Sequence, residues 1–188
     1  MTWATTADGR IERTRRALLS AFSGLIRERG YQQVKVADIA KHADIGRSTF
    51  YEHFESKDDL LEQSIASLLV VLADLFDESH APEHIEAMLA HCWENRQLGH
   101  ALLSGPTRAL LSRALSEVIK ERLASNFVGI RGAKRLVPFH LVATCLAELQ
   151  LGLIGAWLSG EASCTTAALA LALRLSTAEC ASALLSPS

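Results

Sequence analysis

The stretch from Val36 to Lys57, VADIAKHADIGRSTFYEHFESK, constrains this chain more than any other. Val36, Ile39 and Ala40 recur at helical spacing, and the pattern breaks at Ala43-Asp44-Ile45-Gly46. A second short helix follows, in which Phe50 and Phe54 face inward while Arg47, Ser48, Thr49, Tyr51 and His53 stay outside. Two short helices around a tight turn make a helical corner, and such corners occur without any ligand. A helix with aromatics on its inner side and Arg, Ser, Thr, Tyr and His on its outer side suits a DNA major groove lined by phosphates.

The formal net charge of −2 hides an uneven distribution. Residues 1–57 carry ten Lys/Arg against seven Asp/Glu, and residues 58–188 carry nine against fourteen. A positive N-terminal part on an acidic body fits a small nucleic-acid-binding head on a larger core. The excess is modest, and its position beside the helical corner is what gives it weight.

The remaining pattern is helical. Val and Ile never alternate with polar residues over the length of a strand. A first helix is expected from about Asp8 to Arg29, with Ile11, Leu18, Phe22, Leu25 and Ile26 as its apolar stripe and Gly30 as its C-terminal cap. Ser56 reads as the N-cap of a long helix whose first turn holds Asp58 and Asp59, where the helix dipole favours acids. That helix carries Leu60, Leu61, Leu68, Leu69, Leu72, Leu75 and Phe76. Pro82 opens the next, with Ile85, Met88, Leu89 and Trp93. A break is expected at Gln97 to Gly99 and another at Gly105-Pro106, after which a helix runs to about Phe127. A loop over Gly129 to Gly132 precedes two Leu/Ala-rich helices, roughly Leu136–Leu158 and Ser163–Leu185, separated by Ser159-Gly160-Glu161.

The 23 residues from Leu136 to Leu158 are long enough to span a bilayer. Glu148 and Gln150 past the middle, His140 near the start and Pro138 in the first turn argue instead for a helix buried in protein. No secretory signal is expected, because the first apolar cluster, Ala17-Leu18-Leu19, is short and follows five charged residues. The four cysteines form no CxxC pair and read as reduced thiols in a cytoplasmic protein. No Gly-rich phosphate loop, GxSxG or HExxH motif is present, so an enzyme is not expected.

The string Ala17-Leu18, Ala21-Phe22, Gly30-Tyr31, Val36, Ile39-Ala40, Ile45, Ser48-Thr49-Phe50-Tyr51, His53-Phe54, Lys57 and Leu60-Leu61 resembles the DNA-binding domain of TetR-family transcriptional regulators. The resemblance covers about residues 10–61, and the run Leu151 to Leu158 is similar to the penultimate helix of many members. It implies an all-α fold with a helix-turn-helix head over 1–56 and a ligand-binding and dimerisation domain over 57–188. It further implies a homodimer on palindromic double-stranded operator DNA, released by a small-molecule effector, with no cofactor and no membrane.

Carried over position by position, the resemblance assigns Arg47, Ser48 and Thr49 to base edges or phosphates. Tyr51, His53 and Lys57 would contact backbone phosphates. The Val36 amide would contribute a helix-terminus anion contact, and Tyr31 would pack between the first helix and the head. Three positions depart from the pattern. Lys35 stands where Thr or Ser often caps the helix, although its charge can reach a phosphate. Gly46 replaces a common Ser, and Glu52 a frequent aromatic.

The implied dimer seam takes Glu148, Leu151, Gly152, Gly155, Leu169 and Leu173. Candidate effector contacts are polar or aromatic residues on otherwise apolar helices: Met88, His91, Cys92, Trp93, Phe127, His140, Thr144 and Gln150. Glu148 has the plainer role of a carboxylate satisfied by His140 or an arginine on a neighbouring helix. His80, His84, His91 and Cys92 invite a metal-responsive alternative, but Pro82 interrupts their face and their spacing matches no strong zinc signature. A helical dimer that no longer binds DNA is the remaining alternative, supported only by Lys35, Gly46 and Glu52.

Overall fold

A computed structural model describes residues 4–75, 82–126 and 137–185. Phe76, His80, Phe127, the loop expected over 129–132 and Leu136 lie outside the described residues. Among the described residues the regular structure is entirely helical. In chain order the helices are α1 (Ala4–Arg29), α2 (Val36–His42), α3 (Arg47–His53), α4 (Lys57–Ala73) and α5 (Pro82–Glu94). They continue with α6 (Arg96–Leu103), α7 (Thr107–Asn126), α8 (Phe139–Ser159) and α9 (Thr166–Leu185). A 3-10 turn, Tyr31–Gln33, joins α1 to α2. The chain divides into two compact units, Met1–Ile65 and Ala66–Ser188, with the boundary inside α4.

In the first unit, Leu18, Phe22, Leu25 and Ile26 of α1 are buried together with Val34, Ile39, Ala40, Phe50, Phe54, Leu60 and Leu61. Gly30 ends α1 at φ 75° and donates its amide to the Ile26 carbonyl at 2.8 Å. That left-handed backbone is one glycine adopts without a Cβ clash. Ile11, expected in the apolar stripe, is 52% exposed. The 26 residues of α1 outreach α2 and α3, which have seven each, so the first turns of α1 overhang the core they were expected to join.

In the second unit α8 packs against α6, α7 and α9, and α5 packs against α9. The buried faces are Val142, Ala143, Leu146, Ala147, Leu151, Ile154 and Trp157 on α8, with Leu111, Leu115, Ile119 and Leu123 at four-residue spacing on α7. The break expected at Gln97 to Gly99 falls instead at Asn95, and Gly99 lies inside α6. A Cβ on Gly99 would come 2.8 Å from Leu158 Cδ1, so this glycine serves a close helix approach and not a turn. Trp93, expected in the α5 stripe, is 42% exposed, yet its ring stacks on buried Trp157 with centroids 4.7 Å apart. Helices α8 and α9 are each long and apolar enough to cross a membrane by length and composition; half of the α8 window is buried inside the fold, against 28% for α9.

Candidate nucleic-acid interface

The corner between α2 and α3 is closed by backbone hydrogen bonds. The Ile45 amide donates to the Ala40 carbonyl at 2.9 Å and the Asp44 amide to the Lys41 carbonyl at 3.2 Å. These are the two bonds of a Schellman C-cap. Its left-handed position is filled by Asp44 at φ 54°, the one non-glycine residue with positive φ among the described residues. Aspartate tolerates that region better than most residues do. Helix α3 then starts without a side-chain cap, since Gly46 offers none.

The start of α2 meets the problem that Lys35 poses, since an ammonium accepts no hydrogen bond. The solution comes from Asp38, whose carboxylate accepts the Lys35 amide at 3.2 Å. This is half of a capping box, provided from the third helical position. Val36 opens α2, where the first amides have no carbonyl partner within the helix.

Helix α3 separates its two faces. Phe50 and Phe54 are fully buried with ring centroids 5.8 Å apart, and Arg15 lies over the Phe54 ring at 5.0 Å. Arg47, Ser48, Tyr51 and Glu52 are exposed, whereas Thr49 and His53 are half-buried at the edge of that surface. Tyr51 is held edge-on against Phe50 at 5.4 Å with half of its surface free. Among the described residues Arg47 forms no ion pair, so its guanidinium is available.

Lys57, expected at a phosphate, is engaged inside the head. Its ammonium donates to the Tyr31 carbonyl at 2.9 Å and the Val34 carbonyl at 3.0 Å, and lies 4.0 Å from the Tyr31 ring centre. Two of its three N–H donors are therefore used inside the head. Burial holds its basicity below that of a free lysine, against the attraction of Asp58. Tyr31 is buried, and its hydroxyl donates to the Asp58 carboxylate. Burial raises its phenol above the ordinary value, and the Asp58 charge adds to the shift.

The Ser56 cap stands as read: its hydroxyl accepts the Asp59 amide at 3.0 Å. Asp59 in turn accepts the Glu55 amide at 2.8 Å and the Gln63 amide group at 2.6 Å, and Gln63 accepts from Arg15. Sequence reasoning missed Asp38, Asp59, Gln63 and Arg15 as the framework of the head. A carboxylate three residues into a helix was the available clue for both acids.

The candidate effector residues do not share one environment. Gln150 is fully buried and donates to the Leu72 carbonyl at 3.1 Å and the Thr177 hydroxyl at 3.2 Å, while its Oε1 has no partner among the described residues. Met88 is buried, Cys92 is half-buried with its thiol pushed up to about 11 by burial, and Thr144 donates to the His140 carbonyl at 2.9 Å. His91 and His140 are exposed, as is much of Trp93, so these three do not line an enclosed core.

The residues expected at the dimer seam do not share one environment either. Leu151, Leu169 and Leu173 are buried in the chain's own core. Glu148 is engaged within the chain, accepting from Ser112 at 2.5 Å and pairing with Arg108 at 2.8 Å. Gly152 is exposed and Gly155 half-exposed. The large apolar side chains left in solvent on these helices are Leu141, Leu171 and Leu175, each more than half exposed. A helix this apolar carries two hydrophobic faces, and composition alone did not say which one the subunit keeps.

A compact helix-turn-helix head followed by a larger helical unit defines a class of transcriptional regulators. Residues 18–63 match the family described as bacterial regulatory proteins, tetR family. The uncharacterized HTH-type transcriptional regulator YxbF of Bacillus subtilis (strain 168) is 33% identical over 76 residues, 40% of this chain and 20% of that protein. The dhaKLM operon transcriptional activator DhaS of Lactococcus lactis subsp. lactis (strain IL1403) is 38% identical over 48 residues, 26% of each protein. The chain thus spans about a fifth to a quarter of the length of these relatives. In fold it is similar to a TetR transcriptional regulator from Streptococcus agalactiae, at 24% identity and a TM-score of 0.58, over 93% of this chain and 98% of that one. The head of the chain, over residues 18–63, therefore matches the DNA-binding region of the tetR family, and the helical fold as a whole is similar to that of a TetR transcriptional regulator.

Proposed function

We propose that this protein is a cytoplasmic repressor that binds a palindromic operator as a homodimer and is released by a small-molecule effector. The observation that carries the DNA reading is the division of α3: Phe50 and Phe54 anchor it, and Arg47, Ser48, Tyr51 and Glu52 face solvent together. Arg47 reads a base edge, and Ser48, Thr49, Tyr51 and His53 hold phosphates, with the Val36 amide and the Lys35 ammonium at the start of α2. Glu52 accepts from a cytosine amino group or points along the groove. A single short helix reads few base pairs, so two copies related by a two-fold axis are needed for a specific site.

The dimer forms through the exposed stripe of α8 and α9, with Leu141, Leu171 and Leu175 as its apolar content and Gly152 and Gly155 allowing close approach. The effector sits in the larger unit, and the unpaired Oε1 of Gln150 is an acceptor for a donor group on it. It must bind the released arrangement more tightly than the DNA-bound one, or it shifts nothing.

The test is fluorescence anisotropy with duplexes from the region upstream of the protein's own gene. Arg47→Ala should lose about 5- to 100-fold on the operator and much less on random DNA. Equal losses on both, or no salt-sensitive binding to any duplex, would refute the reading. A promoter fusion whose expression falls on deletion of the protein would make it an activator, as the Lactococcus relative is named.

A further inference from the structure

Two thiols meet across the α8–α9 pair. Cys145 Sγ and Cys180 Sγ are 3.7 Å apart, Cys145 is exposed and Cys180 half-buried. The antiparallel pairing of α8 and α9 brings them together although 35 residues separate them in sequence. Bonded sulfurs lie at about 2.05 Å, so closure asks for a displacement of under 2 Å, which side-chain rotation can provide. The other two thiols differ: Cys164 and Cys92 have no sulfur partner among the described residues.

We propose that Cys145 and Cys180 form a redox modification site, closing to an intrachain disulfide when the protein meets a peroxide. Cys145, the exposed member, attacks first. Its sulfur forms an S–O bond as the peroxide O–O bond breaks, giving a sulfenic acid and one water. Cys180 then attacks that sulfur; the S–S bond forms, the S–O bond breaks and a second water leaves. The two thiols together lose two electrons and two protons, and the peroxide takes up both. Burial and the neighbouring Cys145 sulfur push the Cys180 thiol up, so it meets peroxide more slowly than exposed Cys145 and reacts second. A disulfide in a reducing compartment is ordinarily transient and regulatory, and thiols of the reductant pool reverse this one by exchange.

The site does not rest on the DNA-binding reading, because it needs only the contact between α8 and α9; Cys145 shares the exposed stripe of α8 with Leu141, so the proposed seam would cover it and the peroxide reaches it in the free subunit. The experiment treats the full chain with a small excess of hydrogen peroxide, alkylates remaining thiols, and maps peptides by mass spectrometry without reduction. The expected product is a peptide pair linking Cys145 to Cys180 within one chain, two hydrogens lighter than the reduced pair and restored by dithiothreitol. Cys145→Ser and Cys180→Ser should each abolish it, while Cys92→Ser and Cys164→Ser should leave it in place, with circular dichroism confirming an unchanged helical content for all four. A bond between two chains, sulfinic acid at Cys145 without the linked pair, or a pairing that includes Cys92 or Cys164 would overturn the proposal.

Discussion

The Lys57 ammonium lies 4.0 Å from the centre of the Tyr31 ring and donates to that residue's own carbonyl at 2.9 Å. A side chain that resembles a phosphate ligand in sequence is therefore a staple between the first residue of α4 and the turn that follows α1. Lys57→Ala should lower head stability by about 1–2 kcal/mol, since it removes two charge-assisted hydrogen bonds and a cation–π contact. Urea unfolding measures the loss. For the folded fraction, the salt dependence of DNA binding should keep its slope; a slope lower by about one with unchanged stability would return Lys57 to the phosphate backbone.

Asp44 holds the left-handed position of the corner without a glycine. Asp44→Gly should stabilise the head by about 0.5 kcal/mol, and Asp44→Val should destabilise it by about 1–2 kcal/mol, because a β-branched residue is strained there. Thermal midpoints by circular dichroism give the order Gly, Asp, Val from most to least stable. The reverse order would mean that the Asp44 side chain does something other than tolerate its backbone.

Glu148 gives the larger unit a pH dependence. The Ser112 hydroxyl, and secondarily Arg108, hold its carboxyl below the ordinary 4.5, with burial opposing them. A depressed folded-state value means stability that is complete above pH 4.5 and is lost as pH falls through the folded value. The urea midpoint should therefore fall with acid below about pH 4.5, and Glu148→Gln should flatten that fall relative to the parent protein. Parallel curves for the two proteins would show that Glu148 contributes nothing to it.

The two faces of α9 should separate by mutation. Leu171→Glu with Leu175→Glu places charges where an apolar seam is proposed, and light scattering should report monomer with helical content intact. Leu173→Ala acts on a fully buried side chain and should cost about 2–5 kcal/mol of subunit stability. If the double glutamate variant remains dimeric, the seam lies elsewhere.

The head was legible residue by residue because its signals are local. Gly30, Ser56 and the pair Phe50 and Phe54 act within one or two helical turns, and each stands where periodicity and capping chemistry put it. The larger unit was legible only as a set of helices. Gly99 reads as a break until the approach of Leu158 is known, and Trp93 reads as core until its stacking on Trp157 leaves it half outside.

The sequence by itself determined an all-helical chain, the corner of α2 and α3, and the outward set on α3, because helical periodicity and capping are encoded within a few residues of one another. The tertiary structure alone decided that Lys57 turns inward, that Leu151, Leu169 and Leu173 belong to the subunit core while Leu171 and Leu175 stay free, and that Cys145 meets Cys180. The reason is physical: a carbonyl 23 residues away, or a choice between two equally apolar faces of one helix, has no trace in local pattern and is fixed only when the helices pack.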